Sequence, residues 1–345
     1  MENVFVNALK EYRNKCDVYL ESQEFAHFLD SFSVNSVMKK YYDAFLRQSE
    51  GGKRVRAYLV YLGCSLFSKE NIEKVLPVSM SYELFQTGIL AHDDIIDNSE
   101  TRRFKPSMHM ELGGGHTGVS KSICVGDFGI VAALEIIAKS DFSEDVKLKA
   151  VSHQNKVFVS TIAGELCDVE FSGRNDVPEE EILGMNFLKT AQYTVSGPLV
   201  LGAILANANE EDTRKLREFG NLVGIAFQIR DDILGMFGDE AKLGKSITAD
   251  MCEGKQTVLT AHFIKNASAE QINEFQAVYG KEQSGTQELE KVRRLLKECG
   301  SFDYAQSMCQ QMVDRAAKIL DEMQVTEEGK QKLFGLLEYM TKRMS

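Results

Sequence analysis

The chain has 345 residues, 43% hydrophobic and 26% charged, a composition that excludes a disordered or fibrous protein and suits a globular one. Its formal net charge of −11 argues against non-specific binding to nucleic acid or to an anionic membrane surface. The seven cysteines (Cys16, Cys64, Cys124, Cys167, Cys252, Cys299, Cys309) are scattered, odd in number and form no CxxC pair, which fits thiols in a reducing compartment rather than a disulfide frame or zinc site.

The first stretch, MENVFVNALKEYRNK, interleaves charges with apolar residues and lacks the apolar core of a signal peptide. No apolar run reaches about 18 residues, so no membrane span is expected and the expected location is cytoplasmic. Only four prolines occur, Pro77, Pro106, Pro178 and Pro198, which favours long helices. Val55, Leu59, Leu62 and Leu66 recur at helical spacing and predict a helix after Gly51-Gly52. Leu84, Ile89, Ile95 and Ile96 predict a second, and Gly113-Gly114-Gly115 a flexible connection. Ile130, Leu134, Ile136 and Ile137 predict another helix, followed by a loop over 172–176. Pro178 and the three glutamates after it read as a helix first turn. Leu222, Ile225, Ile229 and Ile233 predict one more helix, and the charged, glycine-bearing stretch 238–254 a long irregular active-site loop. Ser268 with Gln271 resembles a capping box. The stretch 283–345 is charged and amphipathic, without a site signature. Strand-type alternation and internal repeats are not evident. The expectation is an all-α fold with residues 1–345 as a single domain.

Chemistry concentrates in three places. Asp93, Asp94 and Asp97 crowd one turn at the end of an apolar helix, and Asp93 and Asp97 share a face. Like charges at that spacing repel by a few tenths of a kcal/mol. A divalent cation between them removes the penalty, and carboxylates plus substrate phosphates are the usual ligands of Mg²⁺. Arg102 and Arg103, just downstream, can grip phosphate oxygens through bidentate forks. A second pair, Asp231-Asp232, again ends an apolar helical stretch, and two such pairs facing each other across a cavity would hold divalent ions against one diphosphate. The third place is Gly51-Gly52-Lys53-Arg54-Val55-Arg56; Lys53 and Arg56 share a face if the helix starts after the glycines, where the helix start itself favours an anion. Each has a plain alternative as a solvated helix end or turn. Lys189-Thr190, Lys245 and Lys255 say little in isolation. His92 beside the aspartates suggests an HD-type phosphohydrolase, but the further His and Asp ligands that reading needs are not found; His92 reads as a neighbour of the metal shell.

Taken together, these residues resemble the trans-prenyl diphosphate synthase family, over roughly Gly51 to Leu259. The family's first aspartate-rich motif stands as Asp93, Asp94 and Asp97, its GGKRxR signature as Gly51 to Arg56, its arginine pair as Arg102 and Arg103. Its Lys-Thr stands as Lys189-Thr190, its second motif as Gln228 to Gly235, and its later lysines as Lys245 and Lys255. The resemblance implies a single large helical bundle around a central active-site cavity, and a homodimer. It implies three Mg²⁺ ions on Asp93, Asp97 and Asp231, with Asp94 and Asp232 supporting. Arg102, Lys189, Lys245 and Lys255 would hold the allylic diphosphate; Lys53, Arg56 and Arg103 would hold isopentenyl diphosphate. Gln86 stands where many members have a histidine in that second pocket, and its amide can still donate to phosphate. Thr190 and Gln228 stand near the carbocation. One departure is plain: the second motif usually carries a third aspartate, and that position is Gly235, with Asp239 four residues on.

The implied reaction is electrophilic alkylation. Metal ions and cations neutralise the departing diphosphate, and the double bond of isopentenyl diphosphate attacks the allylic cation. A proton is then lost to the released diphosphate. In this family the growing tail runs beside the helix that precedes the first motif. Phe85, Gly88 and Ile89 then measure the product. Glycine within a helix costs about 1 kcal/mol against alanine, so Gly88 marks either tight helix packing or an open first level of the tunnel. Phe85, about 5.4 Å per turn further on, would be the floor. The expected product is C15–C20, with C20 favoured. A longer-chain synthase or the catalytic subunit of a heteromeric one is the alternative. A class I terpene cyclase shares the metal–diphosphate logic but lacks the isopentenyl pocket, against which the Gly51–Arg56 segment and Arg103 argue.

Overall fold

The structure is a computed structural model that describes residues 3–32, 35–238, 248–281 and 283–341. In chain order the helices are α1 (Val4–Leu20), α2 (Gln23–Asp30), α3 (Ser36–Ser49), α4 (Val55–Ser65), α5 (Val75–Ile96), α6 (Met108–Glu111), α7 (Gly115–Ala138), α8 (Glu144–Phe171) and α9 (Glu179–Asn186). There follow α10 (Gly197–Leu205), α11 (Glu210–Phe237), α12 (Ala249–Cys252), α13 (Val258–Asn266), α14 (Ala269–Gln276), α15 (Thr286–Glu298), α16 (Ser301–Glu322) and α17 (Glu327–Thr341). Helix dominates, as the scarcity of proline and the helical apolar spacing require. The described strands are one antiparallel pair, β1 (Thr101–Arg102) with β2 (Lys105–Pro106), which the sequence patterning does not show.

The residues group into two compact units. The first comprises Met1–Asn155, Pro198–Thr213 and Val325–Gly329. Its spine is α5 packed along α7. On α5 the buried side includes Val78, Met80, Tyr82, Leu84 and Phe85; on α7 it includes Val125, Ala132, Ala133, Ile136 and Ile137. Full burial of each large apolar side chain stabilises by about 1.5–3 kcal/mol, which is what fixes this pair. Where α5 and α7 meet, glycine faces glycine. A Cβ on Gly88 would lie 2.6 Å from the Gly126 carbonyl oxygen and 3.2 Å from the Ile130 nitrogen. Of the two readings of Gly88, close helix packing is therefore the one the structure shows, and the open space expected at that position is taken by the α7 backbone. The C-terminus of α5 closes in a Schellman motif. Asn98, at φ 51°, donates to Ile95 O, and Ser99 donates to Asp94 O at 2.8 Å.

The second unit comprises Lys156–Gly197, Arg214–Gln324 and Lys330–Ser345. Its core gathers Phe171, Ile182, Met185, Ile229, Ile233, Phe263, Phe275, Leu289, Val292 and Leu295. Between α9 and α10 the chain runs as a π-helix, Phe187–Ser196. Such widened turns are rare and often sit at functional positions. The backbone of α11 approaches this segment so closely that a Cβ on Gly224 would be 2.5 Å from Ala191 Cα. Arg293 of α15 donates to Met236 O (2.6 Å) and Gly238 O (3.2 Å), satisfying carbonyls left open at the end of α11. The capping box at Ser268 and Gln271 is present in both directions. Of the long loop expected over 238–254, the part from 239 to 247 lies outside the described residues, and α12 occupies much of the remainder.

The Gly88 contact gives a direct test. Gly88→Ala forces a methyl group into the α7 backbone and is expected to cost about 1–3 kcal/mol in urea denaturation. Unchanged stability would contradict the close approach of α5 and α7.

Candidate active site

In the first unit, the carboxylates sit at the C-terminal end of α5, where the helix dipole already disfavours negative charge. Asp97 is the C-cap residue and is exposed; Asp93, one turn earlier, keeps part of its side chain accessible, while Asp94 is only 2% exposed. Arg102, on β1, resolves part of this charge. Its Nε donates to Asp94 Oδ1 at 2.7 Å and its Nη2 to Asp93 Oδ2 at 2.8 Å. Burial pushes the Asp94 carboxyl up, against the pull of Arg102. Burial alone would push the Arg102 guanidinium down, but Asp94 and Asp93 together push it up, so the cation is held firmly charged. Asp93 and Asp97 offer hard oxygen donors of the kind Mg²⁺ takes. Among the described residues no three His, Cys, Asp or Glu side chains form a ready-made cage, so an ion here would complete its shell from water and substrate oxygens. His92 does not join them: its Nε2 lies 3.1 Å from Ile123 O and 3.5 Å from Asp127 Oδ1, both on α7.

The basic segment is built differently from the expectation. The helix starts at Val55, so Lys53 precedes it and does not share a helical face with Arg56. The break is Arg54, which adopts a left-handed conformation (φ 56°, ψ 30°) as the N-cap of α4 and turns inward to 4% exposure. Its Nε donates to Asp17 Oδ1 at 3.0 Å and its Nη1 to Glu83 Oε2 at 3.2 Å. The other oxygen of Glu83 accepts from the Ala57 N–H at 3.3 Å, so one buried carboxylate both pairs Arg54 and satisfies an open amide of the first turn of α4. Lys53 is exposed and Arg56 half-buried. Arg103 donates to Glu50 O at 2.9 Å. Its guanidinium is pushed down by burial, and Arg54, Arg102 and Arg56 add to this against the pull of Glu83. Arg103 is exposed to solvent, and neighbouring cations that repel one another are stabilised by an anion. Arg103 and Phe104 form the two-residue turn between β1 and β2, at φ 53° and 63°. That turn type usually takes Asn-Gly or Asp-Gly, so Arg-Phe carries strain there. Gln86 lies on α5 seven residues before Asp93, on the same side of the helix, and is half-buried.

In the second unit, Lys189 leaves the π-helix to meet two carboxylates of α8, Asp168 Oδ2 at 2.5 Å and Glu165 Oε2 at 2.8 Å. Burial would push its ammonium down; Asp168 and Glu165 overcome this and push it up. Thr190 Oγ1 donates to Gln228 Oε1 at 2.7 Å, and Gln228 Nε2 donates to Asp232 Oδ1 at 2.8 Å. The same Asp232 oxygen lies 3.8 Å from Lys255 Nζ. Burial pushes the Asp232 carboxyl up to about 7, against Lys255 and Gln228. Asp231, its neighbour, is half-buried and Asp232 buried. The Lys255 carbonyl accepts from Tyr279 OH at 2.6 Å, which pins the loop after α12. Lys245 and Asp239 lie outside the described residues.

Each unit thus brings several of the residues singled out from sequence into one place: Arg102 with Asp93 and Asp94 in the first, Lys189, Thr190, Gln228, Asp231, Asp232 and Lys255 in the second. Sequence reading missed the carboxylates that hold the cations: Asp17, Glu83, Glu165 and Asp168. Only Glu165 and Asp168 left a trace, two acids three apart on one helical face, and that pattern is common on solvated helices.

The sequence profile of the polyprenyl synthetase family matches residues 36–296. A short chain isoprenyl diphosphate synthase of Methanocaldococcus jannaschii is 34% identical over 258 residues, covering 74% of this chain and 75% of that protein. A geranylgeranyl diphosphate synthase of Methanosarcina mazei is 31% identical over 294 residues, covering 85% and 86%. Among solved structures, geranylgeranyl pyrophosphate synthase from Corynebacterium glutamicum, complexed with isoprenyl diphosphate and magnesium, superposes with a TM-score of 0.87 at 28% identity, covering 97% of this chain and 98% of that one.

The Arg54–Glu83 pair gives the prediction of this section. Glu83→Ala leaves a buried guanidinium short of one partner and an open amide on α4, and a loss of about 3–5 kcal/mol in chemical denaturation is expected. A loss below about 1 kcal/mol, the range of an exposed pair, would contradict the buried pairing.

Proposed function

The chain belongs to the polyprenyl synthetase family, and from that premise we propose that it condenses isopentenyl diphosphate head to tail with an allylic diphosphate, giving an all-trans prenyl diphosphate and diphosphate. The observation that carries this reading is the end of α5, where accessible Asp93 and Asp97 stand beside an Arg102 already fixed by Asp93 and Asp94. The relatives named above, short-chain and geranylgeranyl synthases, support the substrate class. Bound Mg²⁺, in three ions on Asp93, Asp97 and Asp231, would neutralise the charge that develops on the leaving diphosphate. The chain's own cations do the positioning. Arg102, Lys189 and Lys255 grip the allylic diphosphate, each oriented by a carboxylate that keeps it charged and in place. Lys245 completes that set by sequence position. Lys53, Arg56 and Arg103 bind the diphosphate of isopentenyl diphosphate, with Gln86 donating from α5. Asp94 and Asp232, both buried, act by orienting Arg102 and Lys255. The Thr190 and Gln228 dipoles, linked to each other, stabilise the allylic cation.

Product length follows the stripe that carries the carboxylates. Phe85, Ile89, Asp93 and Asp97 are four residues apart and share one side of α5. Ile89 is half-buried and Phe85 fully buried, as suits a tunnel wall and its floor. The proposed product is C15–C20, with C20 favoured.

Two further features belong to the same reading. The described part of α8 exposes Val159, Ile162, Leu166 and Val169, at 60%, 46%, 67% and 52%, on one helical face. An apolar stripe of that kind supports a homodimer in which a second copy covers it. None of the described helices is long and apolar enough to cross a membrane, and all seven cysteines are free, which supports a cytoplasmic enzyme.

The test incubates the purified chain with Mg²⁺, isopentenyl diphosphate and each of the C5, C10 and C15 allylic primers, with products identified by mass spectrometry. Condensation with C20 as the main product is expected; Phe85→Ala should lengthen it and Ile89→Phe shorten it. No condensation with any primer would contradict the proposal, and unchanged products in both variants would contradict the floor.

A further inference from the structure

The first helix of the chain carries a carboxylate that reaches the basic segment. α1 packs through Phe5, Leu9, Tyr12, Cys16 and Tyr19, a buried stripe at helical spacing. Two polar contacts tie it to its neighbours. The Tyr12 and Ser79 hydroxyls, both buried, share a hydrogen bond of 2.9 Å that joins α1 to α5. Asp17, at the edge of the stripe, is 40% exposed, and its Oδ1 accepts from Arg54 Nε at 3.0 Å. Its Oδ2 lies 3.5 Å from Arg13 Nε, one turn back on α1.

Arg54 is therefore held in two directions: Nε donates to Asp17 of α1 and Nη1 to Glu83 of α5. A guanidinium is planar, so two acceptors on different edges fix both its place and its plane. One acceptor alone would leave it free to turn about that bond. The backbone at Arg54 is left-handed, a conformation an arginine keeps only when its surroundings hold it there. Lys53 stands immediately before this bend and Arg56 two residues after it, in the first turn of α4. The bend thus sets the direction of one against the other. Arg54 turns inward, while Lys53 is exposed and Arg56 half-buried.

We propose that Asp17 is a positioning residue for isopentenyl diphosphate: by holding Arg54 from α1, it keeps the bend that sets Lys53 against Arg56. This rests on the reading of Lys53, Arg56 and Arg103 as the cations for that substrate. Asp17 touches no substrate itself. Without it the bend relaxes, and the apparent dissociation constant rises as the fraction of molecules that keep the bend falls.

The test titrates isopentenyl diphosphate into the full chain by calorimetry, independent of turnover, with steady-state kinetics alongside. Asp17→Ala is expected to weaken binding about 10-fold, the worth of one charge-assisted hydrogen bond. The KM for isopentenyl diphosphate rises by the same factor, while kcat and the KM for the allylic primer stay within about twofold. Asp17→Glu, which keeps the charge, restores most of the affinity. Tyr12→Phe breaks the other tie of α1 and reads what loosening that helix does by itself; its isopentenyl diphosphate binding stays at the natural level. Unchanged binding in Asp17→Ala, an equal loss in Tyr12→Phe, or a loss shared by the allylic primer would overturn the proposal. If Asp17→Ala does not fold, Asp17→Asn decides: normal binding in that variant overturns the proposal. Should the natural chain condense its substrates while Asp17→Ala binds isopentenyl diphosphate normally, the positioning role falls and the reading of the function stands. Should the natural chain bind isopentenyl diphosphate without condensing it, the reading of the function falls and the Asp17→Ala titration still decides the positioning role. Should it bind none, both fall.

Discussion

Cations held in place by carboxylates are the constraint from which the rest of this structure follows. Arg54 is held by Asp17 and Glu83, Arg102 by Asp93 and Asp94, Lys189 by Glu165 and Asp168, and Lys255 by Asp232 with Asp250 close by. Taking such groups out of water costs several kcal/mol per ion, and only close, well-aligned partners offset it. The pairs therefore do more than neutralise. They fix the rotamers of long, flexible side chains, so less entropy is lost when an anion arrives. They also keep the lysines and arginines charged in places where burial works the other way. A diphosphate binder needs both properties.

The same constraint explains where the backbone is strained. Apart from Asn207, the described non-glycine residues at positive φ are Arg54, Asn98, Arg103 and Phe104. Arg54 must leave the helical path to reach Glu83, and Asn98 must turn the chain sharply so that Arg102 can return to the aspartates it follows by a few residues. The left-handed conformation costs about 1–2 kcal/mol per residue. Strain of this size persists only where the surroundings over-determine it, and it collects here around the guanidinium cluster.

Much of the fold was legible in the sequence because it rests on periodicity and caps. The helices around Val55–Leu66, Leu84–Ile96, Ile130–Ile137 and Leu222–Ile233 are present, as is the Ser268 cap. The β1–β2 pair was not legible, because its turn residues are Arg and Phe rather than a turn dipeptide, and tertiary contacts of Arg102 and Arg103 impose it. In the candidate site, acids crowded on one turn and arginines in a row stand out from their local pattern. Glu83 does not, since its meaning depends on Arg54, 29 residues earlier. Asp17 was equally silent, because only the fold brings it against Arg54. Gly88 was ambiguous for the opposite reason: sequence shows that a glycine is needed, and only the position of α7 shows why.

We propose that Asp93 and Asp231 each hold divalent metal for diphosphate binding. Isothermal titration of inorganic diphosphate into the full chain, with and without Mg²⁺, tests it most directly. Binding should require Mg²⁺ and should be lost in Asp93→Ala and in Asp231→Ala alike. Equally tight binding without Mg²⁺, or binding that survives both substitutions, would contradict the account.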